Sequence, residues 1–247
     1  MKKLFEVSRI LAGPFLPAVQ NISNRYLRYL TKGAKPNTLE ILDVGGRLSP
    51  YTVGIDQKIT IIDLPKESRK HEEFNLGIGE NEKTALKAKR SNIKELILED
   101  FLGHDFPDNS FDGIVSVEVI EHIKEYDRFV SKIADILKPG GRVLIVTQNG
   151  DYIKKETDLQ KTDHVRHYTK KMLAELLNKY FIDVDIKYGV RTGRYRMLGI
   201  KSMNIKHPVR TFVVMFGNLV SNIQSLQLSE NSGLRYAHLF AIAKKKG

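Results

Sequence analysis

Two glycines follow residues 39–44, an apolar run with the length and composition of a buried strand. The run contains Asp43, and Gly45 and Gly46 come directly after it, where glycine lets the backbone approach a ligand closely. A second acid, Asp63, ends the next apolar run about 20 residues after Asp43, the spacing of an acid that binds ribose hydroxyls. The alternative is that Asp63 only begins a turn. The spacing favours a nucleotide-binding site.

Short apolar runs recur along the chain and alternate in several places with helical patterns. This alternation predicts an α/β fold with a doubly wound, mostly parallel seven-stranded sheet and helices on both faces. In such a sheet ligands bind outside the carboxyl ends of the strands. The predicted strands are 39–44, 59–64, 93–98, 111–117, 142–147, 181–188 and 235–243, and the predicted helices are 82–90, 126–137 and 169–180. A helix stop and a tight turn are predicted at Lys138-Pro-Gly-Gly141.

Two segments lie outside this alternation. We predict an N-terminal helical segment of one or two helices over residues 1–36. The α/β domain then covers residues 37–247, and it contains an insert at about 191–233 before the last strand. Apolar residues from Val209 to Leu226 recur at helical spacing. We interpret them as packing on the sheet or against a second copy in a homodimer. The alternative is a lid, or a surface that meets a lipid-linked substrate.

Four motifs lie around the predicted third, fourth and fifth strands, and their order along the chain is informative. They are Asp100-Phe101, Phe106-Pro-Asp-Asn-Ser-Phe-Asp112, Glu121-His122 and Leu137-Lys-Pro-Gly-Gly141. Together with the glycine loop and Asp63, the series resembles class I S-adenosylmethionine-dependent methyltransferases of the small-molecule type. The resemblance covers roughly residues 38–180.

The resemblance implies S-adenosylmethionine as the cofactor and assigns residues to it. The loop that contains Asp43, Gly45 and Gly46 would face the methionine end of the cofactor. Asp63 would bind the ribose, and Leu64 would lie beside the adenine.

Residues after the third and fourth strands complete the implied site. Asp100 would accept a hydrogen bond from the adenine amino group, and Phe101 would lie near the ring. Glu118 would lie near the sulfonium and the substrate entrance, so we expect it to serve both the cofactor and catalysis.

The glycine loop departs from the family pattern Asp-x-Gly-x-Gly-x-Gly. Arg47 and Ser49 replace the second and third glycines. One possibility is that the loop has a changed conformation and still binds the cofactor. The other is that it belongs to a binding or scaffold protein that has lost the cofactor. Nicotinamide-dependent dehydrogenases share the glycine loop and the ribose acid, but not the motifs around strands four and five.

Methyl transfer needs a general base only if the acceptor must lose a proton. His164 and His167 lie in a segment that covers the pocket of related enzymes, and imidazole titrates near neutrality. The alternative is that both histidines only cap the helix beginning near Thr169. His122 lies closer to the cofactor by analogy with the family, and we interpret it as a structural residue, with a catalytic role as the alternative. The seven histidines, without cysteine, form no recognisable metal set in the sequence.

The acceptor we expect is an oxygen or nitrogen of a small molecule, a glycan or a lipid-linked intermediate. The net charge of +11, with four basic residues between Lys187 and Arg196, makes RNA the second choice. The absence of cysteine and of any uncharged run near the roughly 18 residues of a membrane span predicts a cytoplasmic protein. Peripheral membrane contact stays open.

Overall fold

The computed structural model of the chain describes residues 2–46, 50–66, 77–153, 164–199, 206–231 and 233–247. The strands in these ranges are β1 (Glu40–Val44), β2 (Lys58–Asp63), β3 (Ile93–Leu98), β4 (Phe111–Val117), β5 (Leu137–Gln148), β6 (Ile182–Arg191) and β7 (Tyr236–Lys244). They form one seven-stranded sheet in the order β3-β2-β1-β4-β5-β7-β6. The pairs from β3 to β5 are parallel, and β7 is antiparallel to both β5 and β6. The predicted, mostly parallel sheet is confirmed.

Helices cover both faces of this sheet. The helices of the described residues are α1 (Lys2–Leu11), α2 (Ala18–Leu30), α3 (Glu80–Lys89), α4 (Tyr126–Ile136), α5 (Lys170–Leu177), α6 (Arg194–Gly199) and α7 (Pro208–Gln224). Successive strand residues point to opposite faces. Ile41 therefore packs in a layer with residues of α2 and α3, whereas Leu42 packs in a layer with residues of α4 and α5. Among the described residues, every helix lacks either the length or the hydropathy that a membrane-spanning helix requires.

The turn predicted at residues 138–141 is instead part of β5. Helix α4 ends at Ile136, and Leu137 already pairs with Phe111 of β4. The next pair is Gly113 with Arg142, so the intervening residues shift the register within the strand. The glycines permit this irregularity, since Gly140 has a φ of +76°.

The direction of β7 decides which of its residues reach the ligand edge of the sheet. Parallel strands present their carboxyl ends at that edge, whereas an antiparallel strand presents its beginning. Gln148, the last residue of β5, is paired with His238, the third residue of β7. The start of β7 therefore joins the edge formed by the ends of β1, β2, β4 and β5.

The apolar stripe of the insert faces away from the sheet, so its interpretation as sheet packing is wrong. Helix α7 packs through small and polar residues: a Cβ on Gly217 would lie 2.8 Å from Leu198 Cβ, and Asn218 Nδ2 donates to the Phe15 carbonyl at 3.0 Å. Such residues let backbones approach closely, which leaves the large side chains on the outer face. The exposed stripe comprises Val209, Phe212, Val213, Phe216, Ile223 and Leu226.

Candidate active site

The loop after β1 requires glycine at two successive positions. Gly45 has a φ of +68°, and a Cβ there would overlap Val119 Cγ2. A Cβ on Gly46 would lie 2.7–2.9 Å from the carboxylate atoms of Asp43. The backbone of this loop is therefore packed closely against Asp43 and against Val119, the residue after Glu118. The predicted close approach of the loop to a ligand stays a prediction. Arg47 and Ser49 lie outside the described residues.

The carboxylate of Asp43 belongs to a buried polar network that fixes the loop. Thr52 Oγ1 lies 3.3 Å from Asp43 Oδ2, and Arg90 Nη2 donates to Thr52 Oγ1 at 2.9 Å and to the Thr52 carbonyl at 3.0 Å. Burial lowers the pKa of Arg90 to about 10, against the opposing effect of the Asp43 charge. Arg90 still remains a cation near neutral pH. Its charge offsets that of Asp43 inside the protein. The predicted contact of the Asp43 loop with the cofactor stays a prediction.

Asp63 and Leu64 lie beside the glycine loop. The Gly45 amide donates to the Ile62 carbonyl at 2.9 Å, which brings the end of β2 against the loop. Asp63 is partly buried, and its Oδ1 accepts from the Leu64 amide at 2.7 Å. The Leu64 side chain is exposed and free to lie against a planar group.

Asp100 and Phe101 have different environments although they are adjacent. Asp100 is exposed and organises the turn after β3, where its Oδ1 accepts from the Leu102 amide at 3.1 Å. Phe101 is buried and packs edge-on against Phe129 of α4, with ring centroids 5.2 Å apart. Phe101 thus belongs to the core, and its predicted contact with an adenine ring stays a prediction.

Glu118 directly follows β4, and its side chain is hydrogen-bonded to a residue that the sequence analysis did not single out. Its amide donates to the Val146 carbonyl at 2.8 Å, and its φ is +57°. The backbone of Glu118 is therefore fixed in an uncommon conformation while still hydrogen-bonded to β5. Its Oε1 lies 2.9 Å from Nε2 of the buried His238.

The electrostatic surroundings keep the Glu118 carboxylate ionised. Burial alone would raise the pKa of Glu118. The hydrogen bond from His238, together with the charges of His238, Arg196 and His164, outweighs burial and lowers this pKa below its ordinary value. Because an ionised carboxylate only accepts hydrogen bonds, His238 Nε2 carries the proton between them.

A 3₁₀ turn at Ile120–His122 holds the segment that contains the two predicted bases. The Glu121 carbonyl accepts from the amides of Val165 and Arg166, at 2.8 and 3.3 Å. His164 is thereby brought to His122, with ring centroids 4.7 Å apart. His164 Nδ1 lies 3.2 Å from His167 Nε2. The two histidines are partly buried and coupled to one another, and their role as bases stays a prediction.

The side chain of Glu121 is fully buried beneath these histidines. Its Oε2 accepts from Thr147 Oγ1 of β5 at 2.9 Å. Burial and the nearby charge of Glu118 raise the pKa of Glu121 to about 8. Ligand atoms of Glu121, His122 and His164 all lie within 4.8 Å of one another.

The sequence reasoning missed two residues of this site for identifiable reasons. His238 is a lone polar residue in an apolar strand, which is a weak signal until the direction of β7 is known. Arg196 acts on Glu118 from the insert, and only the folding of α6 back towards the sheet edge reveals it. Glu121-His122 was noted only as a motif.

Comparisons with known proteins agree with this arrangement. A family profile described as a methyltransferase domain matches residues 19–180. The mitochondrial ubiquinone biosynthesis O-methyltransferase of Dictyostelium discoideum is 28% identical over 123 residues, which is 47% of this chain and 37% of that protein. Phosphoethanolamine N-methyltransferase 2 of Caenorhabditis elegans is 36% identical over 88 residues, which is 36% of this chain and 20% of that protein. The chain thus spans well under half the length of these two relatives.

Solved structures show the same fold at low identity. Phosphoethanolamine N-methyltransferase 2 of Haemonchus contortus, in complex with S-adenosyl-L-methionine, superposes with a TM-score of 0.61 at 19% identity, over 92% of this chain and 53% of that one. An S-adenosylmethionine-dependent methyltransferase of Archaeoglobus fulgidus superposes with a TM-score of 0.56 at 15% identity, over 92% of this chain and 94% of that one.

Proposed function

The chain belongs to the methyltransferase-domain family, and we propose that it transfers a methyl group from S-adenosylmethionine to an oxygen or nitrogen of a small-molecule, glycan or lipid-linked acceptor. S-adenosylmethionine is the cofactor of this family. The observation that carries the proposal is the packing of Val119 on Gly45, because Val119 is the residue after Glu118 and Gly45 belongs to the loop that we expect to bind the cofactor.

The residues present fit this cofactor. The tight backbone at Gly45 and Gly46 leaves no side chain between the loop and a ligand, and the carboxylate of Asp63 suits a ribose diol. Asp100 would accept from the adenine amino group, while Leu64 offers an exposed apolar surface to the ring. When bound, S-adenosylmethionine supplies a methyl group on a positively charged sulfur.

We propose that Glu118 is the residue that contacts the acceptor. Its carboxylate is partly exposed, ionised and held by His238, so it accepts a hydrogen bond from an acceptor hydroxyl or amine and orients it. Orientation of donor and acceptor accounts for much of the acceleration of a displacement reaction. His238 acts through Glu118 and is a positioning residue.

The exposed face of α7 supports a lipid-linked acceptor within this proposal. Five large apolar side chains line one side of the helix, Leu226 follows its end, and the chain carries a net charge of +11. An amphipathic helix on a basic protein is suited to an anionic membrane surface, where lipid-linked substrates reside.

Binding and transfer are measured separately. Calorimetry with S-adenosylmethionine and S-adenosylhomocysteine tests the cofactor site, and we expect both to bind. Transfer of a tritiated methyl group to a panel of phenols, amines, glycans and RNA then identifies the acceptor class. If neither cofactor form binds and Asp63→Ala changes nothing, the chain is instead a non-catalytic member of the family.

A further inference from the structure

The turn at residues 100–104, which follows β3 and contains Asp100, is closed by backbone hydrogen bonds on one side only. The Asp100 carbonyl accepts from the amides of Gly103 and His104, both at 3.0 Å. The carbonyls of Leu102 and His104, by contrast, accept from no backbone amide of the described residues. Backbone carbonyls without such partners are satisfied by side chains or water. The conformation of the turn therefore depends on contacts from outside it.

Lys132 of α4 contacts both of these carbonyls. Its Nζ donates to the Leu102 carbonyl at 3.2 Å and also to the His104 carbonyl. The same ammonium group lies 5.4 Å from the centroid of the Phe101 ring. Arg128, one helical turn earlier on α4, adds only a longer hydrogen bond of 3.4 Å to the Leu102 carbonyl. Because hydrogen bonds from a charged donor are the stronger ones, Lys132 supplies the main contact that fixes the turn.

The helix that carries Lys132 is a rigid support for this contact. Phe129, Val130 and Ile133 of α4 are fully buried in the core of the sheet face. Phe129 also packs edge-on against Phe101, with ring centroids 5.2 Å apart. The turn is thus attached to α4 by an aromatic contact and by the hydrogen bonds of Lys132. Close packing of the core prevents α4 from shifting, so the position of the turn is set by these two attachments.

Leu102 connects Lys132 to the carboxylate of Asp100. The Leu102 amide donates to Asp100 Oδ1 at 3.1 Å, while the Leu102 carbonyl accepts from Lys132. Asp100 Oδ2 has no hydrogen-bond partner among the described residues, and the side chain is exposed, so this oxygen is available to a ligand. Burial lowers the pKa of Lys132, and the charges of Asp105 and Asp100 oppose that shift. The ammonium group therefore also lies close enough to Asp100 for their charges to interact.

From these contacts we infer that Lys132 is a positioning residue for adenine recognition, which acts through Leu102 and Asp100. The inference rests on the proposed function, in which Asp100 accepts a hydrogen bond from the adenine amino group. An ionised carboxylate only accepts hydrogen bonds, so it favours a base with an amino group at this position over a base with a carbonyl oxygen. Lys132 holds the carboxylate where this difference is felt. It therefore sets how strongly the site distinguishes adenine from hypoxanthine.

Calorimetry of the full chain with two ligands tests this inference. S-adenosylhomocysteine carries an amino group at position 6 of the base, where S-inosylhomocysteine carries a carbonyl oxygen. The wild type should prefer the adenine ligand about 10- to 100-fold, the contribution of one hydrogen bond to a charged group. Lys132→Met should lower this preference about tenfold, and Lys132→Arg, which retains a charged donor, should restore most of it. Lys171→Met, the same change at an exposed position of α5, should leave the preference unchanged.

The ratio of the two affinities separates a positioning role from a purely structural one. Both ligands bind the same folded molecules, so a loss of stability affects them equally and leaves the ratio unchanged. Asp100→Asn should abolish the preference, and Lys132→Met added to it should then change the ratio no further. An unchanged ratio in Lys132→Met, or equal binding of the two ligands by the wild type, overturns the inference alone. If the wild type binds neither ligand, the proposed function fails together with it.

Discussion

His238 Nε2 lies 2.9 Å from Glu118 Oε1, although 120 residues separate the two in the chain. Glu118 directly follows β4, and His238 lies near the start of the antiparallel β7. The pair therefore connects the last strand of the sheet to the residue before Val119, which packs on the glycine loop. The hydrogen bond from His238 explains how the partly exposed Glu118 is kept ionised in apolar surroundings.

Removal of His238 should raise the pKa of Glu118. In the wild type this pKa is lowered, so the carboxylate stays ionised as the pH falls through the ordinary glutamate range. In His238→Ala burial dominates, although Arg196 and His164 still favour the ionised form and Glu121 opposes it. A ¹³C NMR titration of labelled glutamate carboxyls, with Glu118→Gln to identify the signal, measures the shift. His238→Gln retains a donor and should restore a lower pKa; an unchanged titration in His238→Ala contradicts the argument.

Gly46→Ala should abolish or strongly weaken cofactor binding. The new Cβ would lie 2.7–2.9 Å from the Asp43 carboxylate, so either the loop or the buried network with Thr52 must move. Calorimetry with S-adenosylhomocysteine measures the loss. The matched control is Gly13→Ala, where the nearest atom would be an ordinary 3.5 Å away. Equal affinity in both variants would show that the loop does not contact the cofactor.

Asp63→Asn should weaken binding of S-adenosylhomocysteine about 10- to 100-fold, since a hydrogen bond to a charged group contributes about 1.5–3 kcal/mol. The effect should vanish for a ligand that lacks the ribose hydroxyls, such as methionine. Asp108→Asn, which makes the same charge change at an exposed position, serves as the control. A loss of the same size in the control would assign the effect to net charge.

Arg90→Met should destabilise the fold and disturb the glycine loop. The substitution retains much of the apolar volume but removes the hydrogen bonds to Thr52 and the buried cation near Asp43. Removal of one member of a buried charge network costs about 3–5 kcal/mol. Urea unfolding measures the change, with Lys89→Met as the exposed control on α3. A loss below about 1 kcal/mol, the scale of surface changes, would refute the role of the network.

Phe212→Asp should reduce binding to vesicles of phosphatidylcholine and phosphatidylglycerol. The side chain is 70% exposed on the apolar face of α7, and a carboxylate there opposes both burial in lipid and attraction to anionic headgroups. Co-sedimentation measures the effect, and Leu4→Asp on the exposed part of α1 is the control. If the wild type does not bind vesicles and instead forms a dimer that the Phe212→Asp substitution dissociates, the apolar face of α7 is a homodimer interface.

Much of the fold was predictable, because periodicity reports burial. Strand runs such as 93–98 and 111–117 agree with β3 and β4 at both ends, and α4 begins at the predicted Tyr126. The family assignment was also predictable, because the motifs of the family lie at the ends of successive strands. Their order can therefore be read directly from the sequence. The outward orientation of the α7 stripe was not predictable, since periodicity shows that a helix has an apolar face but not what that face contacts.

Residue patterns alone predicted that Gly45, Asp63, Asp100 and Glu118 lie at or just after the ends of strands, and parallel pairing then brings them to one edge of a sheet. Which distant residues meet them there became known only from the folded chain. The antiparallel direction of β7 brings His238 to Glu118, and hydrogen bonds from the His164 segment to the Glu121 carbonyl assemble the histidine cluster. These contacts could not be predicted from local residue patterns, because they depend on strand direction, register and backbone pairing between distant parts of the chain.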